Sequence, residues 1–475
     1  MALRENAPEF STAAHWVNVP APPQLADLRG RVVLVHFWNA SNINCLHLAP
    51  DLRLLENKYS DSLSVIGVHT PHFDAERQSD VVLSAVNRLY FRHPVANDFN
   101  FEIWQQYNVE AWPTVAVIDT EGGFVGLVSG DGRRDEIDQL IARLLDDASL
   151  NDTRVYRANQ PVSRPEPRKP LRSPGKLLVT ESSLYVADSG HNRILECSHD
   201  GQIRRQIGSG NAGCIDGRID EVAFNDPQGM ALTKDMLYIA DRGSHAIRRL
   251  RLITGEVETL AGNGRHGKPL TREFDQPQQV ELNSPWDLAL AGERLYIAMA
   301  GQNQIWIYDL SRNRLQPFAG TGQHGRQDGE ALLASFARPT GLAVADQVLY
   351  VADADGSAIR ALRSDGKTIT LVGAGPYDFG DSDGLPAQAR LQGAMGISVD
   401  AGRQILWVMD TYNNKLKALS LRGGGVKTIN LNYPLRQPGD VVVLPGKLWI
   451  ANTGAHEVVQ VDTASGQTRC LPIGE

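Results

Sequence analysis

At 475 residues the chain has room for several domains, and its 42% hydrophobic and 21% charged content is that of an ordinary globular protein. The net charge of −8 is unevenly spread: the first 150 residues carry 11 Lys and Arg against 20 Asp and Glu, which argues against nucleic acid as a partner because phosphate binding needs clustered basic side chains. No apolar run approaches the roughly 20 residues that span a bilayer, the opening "MALRENAPEFSTAAHW" lacks the apolar core of a signal peptide, and Cys45, Cys197, Cys214 and Cys470 are too scattered for a disulfide framework or a zinc site; these features predict a cytoplasmic protein with reduced thiols, no membrane association, no metal and no cofactor.

Residues 25–150 read as alternating α/β. "RVVLVHFW" is a buried strand, 45–59 a helix, "LSVIGVH" a strand and 78–92 a helix; "TVAVIDTEG" and "FVGLVSG" form a hairpin, and 133–147 is a last helix. Continuous apolar strands of this kind belong to a sheet covered on both faces. The segment "FWNASNINCLHLAP", residues 37–50, follows the first strand and holds Cys45 with Pro50 five residues later. Four histidines, His36, His47, His69 and His72, share the region without a metal-ligand spacing. His36, inside an apolar strand, reads as a core histidine, and His47 as a surface residue.

This stretch resembles the thioredoxin-fold active-site turn, F-W-A-x-W-C-x-x-C, followed by a helix proline. Phe37, Trp38 and Pro50 match, and "AWPT" at 111–114 matches the loop whose proline is cis, which implies a cis Trp112–Pro113 bond facing the active site. The position of the nucleophilic cysteine falls on Asn42; only the second cysteine remains, as Cys45. Dithiol exchange needs an attacking thiolate and a resolving partner, so disulfide reduction of the thioredoxin kind is expected to be absent. Asn is among the best helix N-caps, worth roughly 1 kcal/mol over an apolar residue. A peroxidase would want Thr at position 42 and Pro at position 38, where the chain has Asn42 and Trp38.

Residues 154–174, "RVYRANQPVSRPEPRKPLRSP", hold five prolines and read as a linker. Beyond it the chain repeats: "LYVADSGHNRI" from Leu184, "LYIADRGSHAI" from Leu237, "LYIAMAGQNQI" from Leu295, "LYVADADGSAI" from Leu349, "LWVMDTYNNKL" from Leu406 and "LWIANTGAHEV" from Leu448. Each core is a strand, a polar turn and a second strand, with a further short strand before it ("GKLLV", "GMALT", "DLALA", "GLAVA", "GISVD", "DVVVL") and another after it. Four strands per unit and six units predict a six-bladed β-propeller. Asp188, Asp241, Asp353 and Asp410 recur at one position, where Met299 and Asn452 stand in the other two units, and are expected to cap the following turn. Three connectors share Asp-Gly with an apolar residue eight positions on: Asp216 to Phe224, Asp328 to Phe336 and Asp383 to Leu391. These connectors and the turns bearing His191, His245 and His456 emerge on one face, the expected binding face for a protein partner. Gly229, Gly341 and Gly396 open three innermost strands at the channel mouth, and Asp287 and Asp440 open two on opposite sides, where they could face a cation or polar ligand, with one metal expected to be too small to bridge them.

The repeat pattern resembles NHL repeats. The order of redoxin domain, linker and propeller resembles the NHL-repeat-containing protein 2 family, whose members look to carry a C-x-x-C-like sequence where this chain has "NINC". The implied architecture is a thioredoxin-like domain over 1–150, a linker over 151–173 and a six-bladed NHL propeller over 174–475. Three functions fit: a binding or scaffold protein with its redox pair lost, a single-cysteine oxidoreductase or redox sensor using Cys45, and a propeller enzyme working at the channel mouth through Asp287 and Asp440.

Overall fold

The computed structural model describes residues 5–10, 14–151, 155, 169–363, 365–375 and 377–474. The chain forms two compact units, residues 1–167 and 168–475. Most of the linker expected over 151–173 lies outside the described residues.

The first unit is an α/β sandwich. Its strands are β1 (His15–Val17), β2 (Val32–Trp38), β3 (Leu63–His69), β4 (Val95–Asn97), β5 (Thr114–Ile118) and β6 (Phe124–Ser129). They form one sheet in the order β1-β4-β3-β2-β5-β6. The β2–β3 and β3–β4 pairs are parallel, whereas β5 runs antiparallel to β2. The helices are α1 (Ile43–Lys58), α2 (Ser79–Arg88), α3 (Glu102–Gln106) and α4 (Arg134–Leu150). All seven residues of β2 are buried because both faces are covered. Val33, Val35 and Phe37 pack with Phe10, Ile103 and Tyr107 on one face. Val32 and Leu34 meet Leu48 and Leu52 of α1 and Ile137 and Ile141 of α4 on the other.

The second unit is a six-bladed propeller. The blades begin at Leu177, Pro227, Pro285, Pro339, Gly396 and Asp440, and each is an antiparallel meander. Its core is divided among the blade interfaces, with one apolar cluster in each. Tyr185 and Ile239 lie between blades one and two, and Leu177 and Trp449 between blades one and six. The Asp-Gly connectors add a fifth, two-residue edge strand to the second and fourth blades, Gly217–Arg218 and Gly329–Glu330. Phe224, Phe336 and Leu391, eight residues after their aspartates, are buried. Among the described residues no strand is shared between the first and last blades, so the ring closes by packing and side-chain hydrogen bonds.

Candidate functional sites: a helix cap and a channel axis

The turn after β2 is held by its own polar side chains. Asn42 has extended backbone (φ −84°, ψ 123°), and its side-chain oxygen accepts the N–H groups of Asn44 at 3.0 Å and Cys45 at 3.3 Å. Two of the otherwise unsatisfied donors at the start of α1 are thereby paired. Cys45 is fully buried beside Trp38, Val82 and Phe91, and its Sγ accepts the backbone N–H of Asn39 at 3.4 Å. Asn39 in turn donates to Thr70 O at 2.7 Å and to Glu76 Oε2 at 3.0 Å. Glu76, also fully buried, accepts the N–H groups of His72 and Phe73 at 2.9 and 3.0 Å. One carboxylate therefore braces the loop after β2 against the loop after β3.

The Trp112–Pro113 bond is cis. Trp112 Nε1 donates to Thr70 Oγ1 at 2.6 Å, and its ring packs against Trp104 and His72. His36 and His69 are fully buried among aromatic rings, and burial holds His36 well below the usual histidine range and His69 down to about 4. Both are neutral at physiological pH. His47 is half-buried and its Nδ1 lies 2.7 Å from Asp131 Oδ2.

The strand registers place Lys176, Gly229, Asp287, Gly341, Gly396 and Asp440 at equivalent positions, one per blade, around the channel axis. Asp287 and Asp440 do face a cation, and it belongs to the chain. Lys176 Nζ lies 3.1 Å from Asp287 Oδ2, 3.3 Å from Asp440 Oδ1 and 3.2 Å from Met395 O. Burial alone would lower the lysine, but the two aspartates outweigh it and raise it above its usual range. Burial and the like charge of Asp287 push Asp440 above the usual carboxylate range against the pull of Lys176. The aspartates also tie blades together: Asp440 Oδ2 accepts Leu177 N–H, and Asp287 Oδ2 accepts Leu342 N–H, each at 2.9 Å. Glycine is required beside them, since a Cβ on Gly229 would sit 2.3 Å from Asp287 Oδ1 and one on Gly396 2.5 Å from Asp440 Cα.

The three histidines of the turns have hydrogen-bonding duties. His191 Nδ1 pairs with Asp188 at 2.9 Å. His245 Nδ1 accepts Ser284 N–H at 3.1 Å, and His456 Nδ1 accepts Ser173 N–H at 2.9 Å. His245 and His456 share their place with Asn192, Asn303, Ser357 and Asn414, which accept from Asp226, Arg338, Gly393 and Gln437. Each turn residue thus latches onto the next blade, and His456 closes the ring. All six have positive φ, between 45° and 60°, a conformation that short polar side chains tolerate.

The recurrent aspartates reach further than the turn they were expected to cap. Asp241 and Asp353 accept a backbone N–H from 16 residues earlier and pair with Arg248 and Arg360 of the third strand; Asp410 accepts from 18 residues earlier and pairs with Lys417. Burial pushes all three up to about 6. The same cations bind Asp216, Asp328 and Asp383 of the connectors, which also accept from Thr259, Thr370 and Thr428. Turn contacts survive at Asp188, with His191, and at Asp410, with Asn413.

A thioredoxin-like family model matches residues 30–124. The chain is 33% identical to human NHL repeat-containing protein 2 over 98% of its own length and 72% of that protein's. The chain belongs to the NHL repeat-containing protein 2 family. A relative of this family member, "Protein SUPPRESSOR OF QUENCHING 1, chloroplastic" of Arabidopsis thaliana, is 35% identical over 97% of the chain and 47% of the plant protein, so the chain spans about half that relative's length. Among solved structures, a virginiamycin B lyase from Staphylococcus aureus aligns with 64% of the chain and 85% of its own at 13% identity and a TM-score of 0.42. Among the described residues no helix is long and apolar enough to cross a membrane. Sequence reasoning on this NHL repeat-containing protein 2 relative missed Lys176 and the Asn39–Glu76 brace. Lys176 carried a signal, since it holds in "GKLLV" the register of Asp287 and Asp440. Glu76 carried none, because its partners lie in two loops far apart in sequence.

Proposed function

We propose that this chain is a binding or scaffold protein: the loop-rich face of its propeller engages a protein partner, and the thioredoxin-like unit serves as a docking element without dithiol chemistry. The observation that carries this reading is the Asn42 cap. An amide oxygen spends its lone pairs on the first turn of α1 at the position from which a thiolate would attack. The wide spacing of the four cysteines suits a reducing, cytoplasmic setting. The test is iodoacetamide labelling of the native full-length chain at neutral pH, with mass spectrometry of each cysteine. Protection of Cys45 until unfolding is expected; selective labelling of native Cys45 overturns the reading.

One observation favours a second reading, a single-cysteine oxidoreductase or redox sensor. Cys45 Sγ accepts an N–H within the first turn of a helix, and both features favour thiolate. Complete burial opposes it. The same labelling experiment separates the two readings.

A further inference from the structure

Cys45 Sγ touches the irregular segment 39–41: it accepts the Asn39 N–H at 3.4 Å and shares an apolar cluster with Ala40. All three residues of the segment are buried. Among the described residues, their side-chain hydrogen bonds to the rest of the unit run to two places. Thr70 O accepts Asn39 Nδ2 at 2.7 Å, and Glu76 Oε2 accepts Asn39 Nδ2 at 3.0 Å and Ser41 Oγ at 3.5 Å. The bonds from Ser41 to Asn39 Oδ1 stay inside the segment. Glu76 Oε2 also accepts the N–H groups of His72 and Phe73, so four donors converge on one oxygen of a fully buried carboxylate. The other oxygen, Oε1, is buried with no hydrogen-bond partner among the described residues. A carboxylate satisfied on one side only is costly to keep from water. Opening the segment wets it again, and this offsets part of the bonds that opening breaks.

We propose that Glu76 latches a gate over Cys45: when its hold on Asn39 and Ser41 is released, residues 39–41 swing out together and the thiol meets solvent while the sheet stays folded. The inference goes beyond both functional readings, because it concerns what keeps the thiol shut rather than whether the chain uses it. Local opening of this kind needs less free energy than unfolding of the unit. Trp38, Val82 and Val86, which also pack around Cys45, lie on β2 and α2, and these elements keep their own backbone hydrogen bonds when the segment moves.

The test is iodoacetamide labelling of the native full-length chain at neutral pH, with mass spectrometry of each cysteine and hydrogen exchange of β3 as the gauge of an intact unit. Glu76→Ala should label Cys45 at least about tenfold faster than the unchanged protein, since a single hydrogen bond to a charged group is worth that much in population. Protection of β3 should remain, and Cys197, buried in the propeller, should label no faster. Glu76→Gln keeps an oxygen for Asn39 and should stay close to the unchanged protein. Asn39→Ala cuts the same tie from its other end and should also expose the thiol; it decides the matter if Glu76→Ala does not fold. The proposal is overturned if Cys45 in a folded variant is as protected as in the unchanged protein, if Cys45 reacts only where β3 has lost protection too, or if Glu76→Gln exposes it as much as Glu76→Ala.

Discussion

Asn42 illustrates how one side chain can order the start of a helix. Its side chain satisfies two N–H groups of α1, so Asn42→Ala should cost the first unit about 1 kcal/mol while Asn42→Ser costs much less; hydrogen exchange of the first turn of α1 reads the difference. His456 makes a parallel case in the propeller. Asn fills the same latch in three other blades, so His456→Asn should be close to neutral. His456→Ala leaves Ser173 N–H without its acceptor and should lower the propeller's unfolding free energy by about 1–3 kcal/mol in chemical denaturation. Equal losses for the two variants would show that the imidazole does something other than accept this bond.

Within an element, the recurrent aspartate and its cation behave as one unit. Asp241 and Arg248 in the second blade are both fully buried, as are Asp353 and Arg360 in the fourth. In the third blade, Met299 and Trp306 hold the corresponding places and both are buried. The carboxylate and the cation are lost together, as expected if either alone would leave an uncompensated buried charge. Arg248→Trp alone should therefore destabilise by about 3–5 kcal/mol. The pair Asp241→Met with Arg248→Trp, copying the third blade, should recover most of that loss. A denaturation double-mutant cycle measures the coupling, and additive losses would refute it.

Elements with their own periodic signal were legible in the sequence. The strand "LSVIGVH" is Leu63–His69, and the helix expected at 45–59 is Ile43–Lys58. The helix expected at 78–92 stops at Arg88, where Tyr90 turns to positive φ. Missed were β1, β4 and α3, of three to five residues each; pieces this short owe their existence to tertiary pairing rather than to a pattern of their own. The candidate sites divide the same way. Asn42 as a cap follows from local chemistry, whereas the latches and the axial lysine depend on which blades meet.

Across the whole molecule, the two units should respond to acid differently. His36 and His69 have folded pKa values below their unfolded value, so the folded state binds fewer protons. Stability of the first unit is therefore retained above pH 6.5 and lost on acidification toward about 4, at up to about 1.4 kcal/mol per pH unit for each histidine. Asp241, Asp353 and Asp410 are raised to about 6, so their folded forms bind more protons, and their contribution improves on acidification from about 6 toward 3.8. Hydrogen exchange between neutral and mildly acidic pH, corrected for intrinsic rates, should show β2 and β3 losing protection before the inner propeller strands. The reverse order would contradict the assignment of neutral buried histidines.

We propose that the thioredoxin-like unit keeps its fold without working as a dithiol reductase. The most direct measurement is insulin disulfide reduction by purified full-length protein with dithiothreitol, beside its Cys45→Ser variant. Both are expected to proceed at the rate of dithiothreitol alone. Turnover well above that rate, abolished by Cys45→Ser, would contradict it.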